Sequence, residues 1–132
     1  MESIDLRKKD EYYVYVGSLK YPVYFMHLRY WDYGILEQEG QEPKIIKKLN
    51  PFGGLTVAYV RFIDSFDMRK EVLDDFRVQE AGGSLLLDDR LNIIGAYGTA
   101  FCRLDEQYDK SEGRKYSMER LKMVLALRQI YF

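Results

Sequence analysis

Residues 55–62 form the clearest strand pattern in the chain. Their sequence, Leu-Thr-Val-Ala-Tyr-Val-Arg-Phe, is rich in the β-branched and aromatic side chains that favour a pleated, half-buried strand. Asn50, Pro51, Gly53 and Gly54 stand just before it and are typical of a turn. A strong strand that follows a tight turn favours an antiparallel meander, and this limits the fold to one built around an antiparallel sheet.

Similar patterns recur along the chain. Residues 12–16 and 21–31 flank Gly17 and Ser18, so they predict a hairpin. Residues 64–80 predict a short helix that begins at Ser65 or Asp67 and is followed by a strand near 76–80. Asp88 and Asp89 indicate a turn. Further strands are predicted over residues 44–49, 85–87 and 91–102.

The last twenty residues have the period of a helix. Asp109 or Ser111 can cap its start, and Met118, Leu121 and Leu125 share one face. A helix that is apolar on a second face as well usually packs on its own sheet and on another surface, so we expect a homo-oligomer through this helix. The second apolar face carries Tyr116, Met123, Leu127 and Ile130.

These patterns predict an α+β fold, in which an antiparallel β-sheet of about five to six strands packs with a long C-terminal helix. The 132 residues are enough for one core and too few for two, so we expect a single domain over residues 1–132.

Composition limits the partners. Twenty basic side chains nearly balance 21 acidic ones, so no global field attracts nucleic acid or an anionic membrane. The charge is uneven, since residues 101–132 carry seven basic against five acidic side chains. Twelve tyrosines suit half-buried strands, subunit interfaces and ligand platforms equally well.

The scarcity of cysteine and histidine argues against several chemistries. A single cysteine, Cys102, excludes an internal disulfide, and a single histidine, His27, leaves no cluster for zinc. His27 on an alternating strand is more often packed or hydrogen-bonded than catalytic. We therefore expect no enzyme activity, no cofactor and no metal. The first residues lack the apolar stretch of a signal peptide, and no segment has the length of a membrane span, so we expect a cytoplasmic protein that does not enter membranes.

The segment from Gly98 to Arg120 is the best candidate for a ligand site. Arginine and lysine supply positive charge for an anion, and tyrosine supplies a flat face for a base. Tyr108 also precedes the helix start, whose backbone N–H groups favour phosphate. The predicted ligand-binding residues are Arg103, Tyr108, Lys110, Arg114, Tyr116 and Arg120.

This interpretation has alternatives. Arg114 and Arg120 are six residues apart, roughly 120° around a helix, so they clasp one ligand only if it lies between subunits or wraps the helix. Surface ion pairs, such as one of Arg114 with Asp109 or Glu112, explain the arginines equally well. Tyr108 equally fits a role in attaching the loop to the core.

A family resemblance rests on spaced motifs in the last eighty residues or so. Residues 53–59 pair with residues 98–102, and Asp105, Tyr108, Lys110, Gly113-Arg114 and Arg120 follow. The pattern resembles small phage- and prophage-encoded proteins built as a β-sheet followed by a C-terminal helix. Among these it is similar to the Thoeris anti-defence 1 family, relative to which residues 63–92 form an insertion.

The resemblance implies a function. Members of that family are oligomeric proteins that sequester a cyclic ADP-ribose signal and so silence a bacterial immune pathway. The chain is accordingly expected to be a non-enzymatic, phage-type anti-defence protein of the host-cell cytoplasm that binds an anionic nucleotide-derived signal. The alternative is a phage accessory protein that binds single-stranded nucleic acid or a host protein.

Overall fold

The computed structural model describes residues 12–64, 67–75 and 82–130, with side chains to Leu127 in the last range. Within these ranges there are eight strands and two helices, and the α+β class is confirmed with more strands than the five to six predicted. In chain order they are β1 (Tyr13–Val16), β2 (Leu19–Pro22), β3 (Tyr24–Leu28), β4 (Trp31–Leu36), β5 (Lys44–Leu49), β6 (Phe52–Arg61), α1 (Met68–Asp74), β7 (Gly83–Leu87), β8 (Ile93–Gln107) and α2 (Lys110–Ile130).

A four-stranded antiparallel sheet forms the centre of the protein, with the strand order β3-β6-β8-β7. Its middle strands are the longest in the described chain. Successive side chains of a strand point to opposite faces. Val57 and Tyr59 therefore enter one core, and Ala58 and Val60 enter another on the opposite face.

The two faces are covered by different elements. On one face, α1 contributes Met68 and Val72 to a core with Ile94 and Tyr97. On the other face, α2 packs against β8, β6 and β7. The hairpin of β1 and β2 adds Val14 to this second core, whose buried residues from α2 are Met118, Leu121 and Leu125.

Two glycines let α2 lie close to the sheet. A Cβ atom on Gly98 of β8 would stand 2.3 Å from the Leu121 nitrogen and 2.5 Å from the Ser117 oxygen. A Cβ atom on Gly113 of α2 would stand 2.2 Å from Thr56 Oγ1. Side chains at these positions would push the helix away, so both glycines are required by packing.

Several predicted boundaries change. Residues 21–31 are not one strand, because they are divided among β2, β3 and β4, which belong to three different sheets. The predicted strand over 91–102 continues to Gln107 through a bulge, since Gly54 pairs with Cys102 and Phe52 with Gln107. The glycines Gly53 and Gly54 lie in this irregular register at positive φ, after the strand has begun.

The helix starts agree with the sequence. Asp67 caps α1 by accepting a hydrogen bond from the Lys70 nitrogen. Asp109 caps α2, because its Oδ1 accepts from the Ser111 and Glu112 nitrogens at 2.8 and 3.3 Å. Asp88 forms the predicted turn by accepting from the Arg90 and Asn92 nitrogens. The strand predicted near 76–80 lies outside the described residues.

Residues 31–49 form a hairpin that leaves the central sheet, and we call it the arm. Its strands β4 and β5 pair with each other from Trp31↔Leu49 to Leu36↔Lys44, and residues 37–43 form the loop at its tip. The Asn50 nitrogen donates to the Tyr30 oxygen at 2.9 Å and links the arm to the sheet. Every residue of β5 is exposed, as are all residues of β4 except Gly34.

Neither helix in the described ranges has the combination of length and apolar character that crossing a membrane requires.

Gly98→Ala tests the close contact of α2 with β8. The added methyl group meets backbone atoms of the helix, which cannot rotate away, so we expect a loss of about 2–4 kcal/mol in the free energy of unfolding, measured with urea. Gly34→Ala is the control, since its Cβ would make only ordinary contact, 3.5 Å from the Ile46 side chain, and should change stability by less than about 1 kcal/mol. Equal losses in both variants would contradict this account.

Candidate functional site

Three polar side chains meet beneath the start of α2. His27 of β3 and Thr56 of β6 stand opposite each other in the sheet, on the face toward α2. Tyr108, which lies just before α2, is buried, and its hydroxyl reaches both of them. It lies 2.7 Å from His27 Nδ1 and forms a short hydrogen bond with Thr56 Oγ1. One arrangement satisfies all three groups: the Thr56 hydroxyl donates to the Tyr108 oxygen, and Tyr108 donates to Nδ1 of neutral His27.

Gly54 and Arg29 fix the ring of Tyr108. A Cβ atom on Gly54 would lie 2.8 Å from ring carbons of Tyr108, so only glycine leaves room for the ring. The guanidinium carbon of Arg29 lies 4.2 Å from the centroid of the Tyr108 ring, which is a cation–π contact. Arg29 also donates to the Asn50 oxygen at 3.2 Å, and its Nε is buried without a hydrogen-bond partner. Tyr108 therefore joins the central sheet to α2, which is the anchoring role that the sequence left open.

Positive charge surrounds this cluster. Burial lowers the pKa of His27 from its usual 6.5, and the charges of Lys110, Arg114 and Arg29 lower it further. Burial raises the pKa of the Tyr108 hydroxyl, against the effects of Thr56, Arg29 and Arg114. Burial and the nearby cations therefore both favour the neutral form of His27.

Lys110 and Arg114, near the start of α2, have no acidic partner among the described residues. The ion pairs of the described residues join Arg61 to Asp64 and Arg103 to its neighbours Asp105 and Glu106. Lys110 and Arg114 form none there, so the predicted ion pair of Arg114 with Asp109 or Glu112 is absent from the described part of the chain. The first backbone N–H groups of α2 are occupied by Asp109, which removes them as the predicted phosphate donors.

A cleft of about 320 Å³ lies between α2 and Tyr12, and we call it the basic cleft. Ser111, Arg114, Met118 and Lys122 fall on one side of the helix, because their spacing follows its period. Tyr12 is held edge-on against Phe25, with ring centroids 5.1 Å apart. The lining residues in the described part of the chain are Tyr12, Ser111, Arg114, Lys115, Met118, Glu119 and Lys122, so three cations face one acid among them.

A second concavity, of about 410 Å³, opens on the opposite face of the sheet. Leu28, Leu55 and Phe101 are neighbours across three strands and form its apolar wall. Its lining is completed by Arg29, Tyr30 and Gly54.

The structure divides the six predicted ligand residues. Tyr108, Lys110 and Arg114 come together around His27. The other three lie elsewhere. Arg103 is 67% exposed and pairs with Asp105 at 2.9 Å. Arg120 donates to the Thr99 oxygen at 2.8 Å, and Tyr116 is exposed with its ring near Lys115. A single site containing all six residues is therefore not formed within one chain.

Sequence reasoning missed four residues of this region. Arg29 shares the alternating face of His27, and that alternation was its available signal. Lys122 lies eight residues after Arg114, about 80° around the helix, with Met118 between them on the same side. Ser111 precedes Arg114 by three residues and carries the same signal. Tyr12 comes from the other end of the chain, and nothing in the sequence connects it to α2.

The described residues contain no group of three or more histidine, cysteine, aspartate or glutamate side chains placed to hold a metal ion. Cys102 pairs with Gly54 in the sheet, and its Sγ lies 3.4 Å from the Glu106 oxygen. His27 instead hydrogen-bonds to Tyr108 and Thr56.

Comparison with known proteins adds no relative: no family model matches the chain, and neither curated proteins nor solved structures gave a match. The similarity to the Thoeris anti-defence 1 family therefore stays a prediction.

Tyr108→Phe tests the anchoring cluster. Removal of the hydroxyl takes a hydrogen-bond partner from both His27 and Thr56, so we expect a loss of about 1–2 kcal/mol in unfolding free energy, measured with urea. Tyr116→Phe is the matched control, because the Tyr116 hydroxyl makes no hydrogen bond within the described residues, and it should change stability by less than about 0.5 kcal/mol. The cluster would not be an anchor if the two variants were equally stable.

The lowered pKa of His27 predicts a pH dependence of stability. His27 binds a proton more readily in the unfolded chain than in the folded chain. Its contribution to the free energy of unfolding is therefore fully present above pH 6.5 and is lost as pH falls through the pKa of the folded state. The chain has one histidine, so His27→Gln should flatten unfolding free energy measured between pH 7.5 and 5.5. An unchanged slope in the variant would show that His27 is not the group responsible.

Proposed function

We propose that this protein binds an anionic, nucleotide-like ligand in the basic cleft and sequesters it without chemical conversion. The observation that carries the proposal is the set of three cations, Arg114, Lys115 and Lys122, around a cleft whose other described lining residues include one tyrosine and one acid. None of the three forms an ion pair with any residue in the described ranges.

The chemistry of the cleft suits a phosphate joined to an aromatic base. Arg114 offers a planar fork of N–H donors that matches two phosphate oxygens, and the lysines add charge. Tyr12 offers a ring whose position is fixed by Phe25, and Ser111 offers a hydroxyl. The volume of about 320 Å³ is at the lower end of small-molecule sites, which suits one nucleotide or one part of a larger ligand.

Electrostatics supports an anion at this place. Burial is the main cause of the lowered pKa of His27, and the positive charges of Lys110 and Arg114 lower it further. A bound phosphate would offset this field and relieve part of the repulsion among the cations. The ligand would thus gain affinity from charges that the folded protein leaves uncompensated.

The cyclic ADP-ribose class remains the ligand class that we propose, on the resemblance given above, together with a phage-type anti-defence role. A second candidate is single-stranded nucleic acid, which the same observation favours, because a row of cations along a helix also suits a phosphate backbone. The two differ in a measurable way, since affinity for nucleic acid should rise with oligonucleotide length and fall steeply with salt.

Arg114→Ala tests the proposed site. Calorimetric titration with cyclic ADP-ribose, ADP-ribose and adenosine should show binding of the phosphate-bearing compounds only. Loss of one charge-assisted contact, worth about 1.5–3 kcal/mol, should weaken that binding roughly tenfold or more. Arg103→Ala is the matched control, because Arg103 already pairs with Asp105, and its affinity should equal that of the wild type.

Two further readouts complete this test. The NMR titration of the single histidine should show a higher pKa for His27 when ligand is bound, and each compound should be recovered intact after denaturation. Binding that is weakened equally by Arg103→Ala and Arg114→Ala, or no binding of any phosphate compound, would overturn the proposal.

A further inference from the structure

The arm presents an uncovered apolar face. Residues that are directly opposite in an antiparallel pair point to the same side, so Trp31 lies with Leu49, Tyr33 with Lys47, and Ile35 with Ile45. Ile45 is 80% exposed and Tyr33 is 69% exposed. We define the apolar face of the arm as Trp31, Tyr33, Ile35, Ile45 and Leu49, with Lys47 among them.

The other side of the arm differs in composition. It carries Asp32, Gly34, Leu36, Lys44, Ile46 and Lys48. The distance of 3.5 Å from a Cβ placed on Gly34 to the Ile46 side chain agrees with this assignment. Five large apolar side chains therefore share one face, and two share the other.

A two-stranded hairpin with no cover is at best marginally stable in water, so an arm of this length is expected to pack on another surface. Its five apolar side chains leave on the order of 500 Å² uncovered in each copy, so two copies together bury about 1,000 Å², the lower limit of a specific interface. A patch of this size is comparable to the largest apolar patch on an ordinary monomer, and such patches often mark an interaction site.

The charges along the arm indicate which surface covers it. The tip carries Glu37, Glu39 and Glu42 against one cation, Lys44, and is net negative. The end of the arm nearest the sheet carries Lys47 and Lys48 against one acid, Asp32, and is net positive. If two arms pack antiparallel, the acidic tip of each copy meets the positively charged end of the other arm, nearest its sheet. A parallel arrangement would instead place like charges together, which is unfavourable.

We propose that the arm is a self-association surface, in which the apolar faces of two copies of this chain pack against each other with the arms antiparallel. The contact is isologous, since the same patch serves both copies. The lysines of β5 disfavour edge-to-edge extension of the sheet, so the interface forms through the face. This inference does not depend on the ligand proposed above.

A nucleic acid is a less suitable occupant. Trp31 and Tyr33 would stack on bases, and Lys47, whose Nζ lies 4.3 Å from the centroid of the Trp31 ring, would meet phosphate. The three aliphatic side chains and the three glutamates at the tip argue against it, because aliphatic groups do not stack and the glutamates repel phosphate.

Ile45→Glu tests the proposal, and Ile46→Glu is its matched control. The two residues are adjacent and of one type, but they point to opposite faces of the arm. In sedimentation velocity at several concentrations, the wild type should be a dimer. Ile45→Glu should weaken the dimer at least about tenfold, and Ile46→Glu should leave its dissociation constant within about threefold. Circular dichroism should show the same fold in all three, because both residues are exposed.

Charge reversal tests the antiparallel geometry. A chain with Glu37→Lys, Glu39→Lys and Glu42→Lys should dimerise weakly alone, as should a chain with Lys47→Glu and Lys48→Glu. Mixed together, they should form a heterodimer, because each reversed tip then meets an arm end of opposite charge. If the tip-reversed chain associates as the wild type does, the antiparallel arrangement is wrong.

Other outcomes would overturn the proposal as a whole. These are a wild type that stays monomeric at every accessible concentration, or a dimer that survives Ile45→Glu and is lost on Met123→Glu, which alters the exposed side of α2. A monomeric wild type whose arm binds a single-stranded oligonucleotide, as measured by fluorescence anisotropy, would also overturn it.

Discussion

The close contact between helix α2 and strand β8 is the constraint on which the rest of the structure depends. Gly98 and Gly113 bring helix backbone and sheet so near that no side chain fits between them at either point. At this distance Leu121 and Leu125 reach the core between the helix and the sheet. The same contact places the start of α2 above β3 and β6. The position of the α2 side chains Lys110 and Arg114 therefore depends on the close approach that Gly98 and Gly113 allow.

Tyr108 adds a buried polar cluster to this contact between helix and sheet. Its ring is buried, occupies the space that Gly54 leaves, and carries its hydroxyl to His27 and Thr56. A buried hydroxyl needs such partners, because an unsatisfied polar group costs free energy. The result is a rigid junction, and side chains on a rigid element can hold a ligand with little loss of entropy.

Charge and apolar surface are separated in this protein. The basic cleft lies on α2, where cations stand without acidic partners in the described chain, and the arm carries the apolar face. We expected self-association through α2, and its side chains Tyr116, Met123 and Leu127 are exposed, as that expectation requires. Leu121, by contrast, is buried in the protein's own core, so substituting it would test folding and not assembly. The exposed apolar side chains of the arm lie side by side on two paired strands, whereas those of α2 lie along a single helix.

Local pattern determined much of the fold. Alternation and turn residues predicted the strand β6 and a hairpin that turns at Gly17 and Ser18, although its second strand is Leu19–Pro22 and not residues 21–31. Capping residues predicted where both helices begin. These features depend on neighbours in sequence. The structure differs from the prediction at residues 21–31, where one alternating pattern predicted a single strand, and at the end of β8, which continues to Gln107. There the choice of pairing partner decides where a strand bends or ends, and that choice depends on residues far along the chain.

The candidate site shows the same division. Sequence alone determined that the segment from Gly98 to Arg120 carries several cations together with Tyr108 and Tyr116, and that Arg114 and Arg120 point to different sides of a helix. Only the tertiary structure decided that Arg120 bonds to the Thr99 oxygen, that Arg103 pairs with Asp105, and that Tyr12 faces Arg114 across a cleft. The physical reason is that a side chain's partner is set by which backbone segments the core brings together, and no spacing within one segment contains that information.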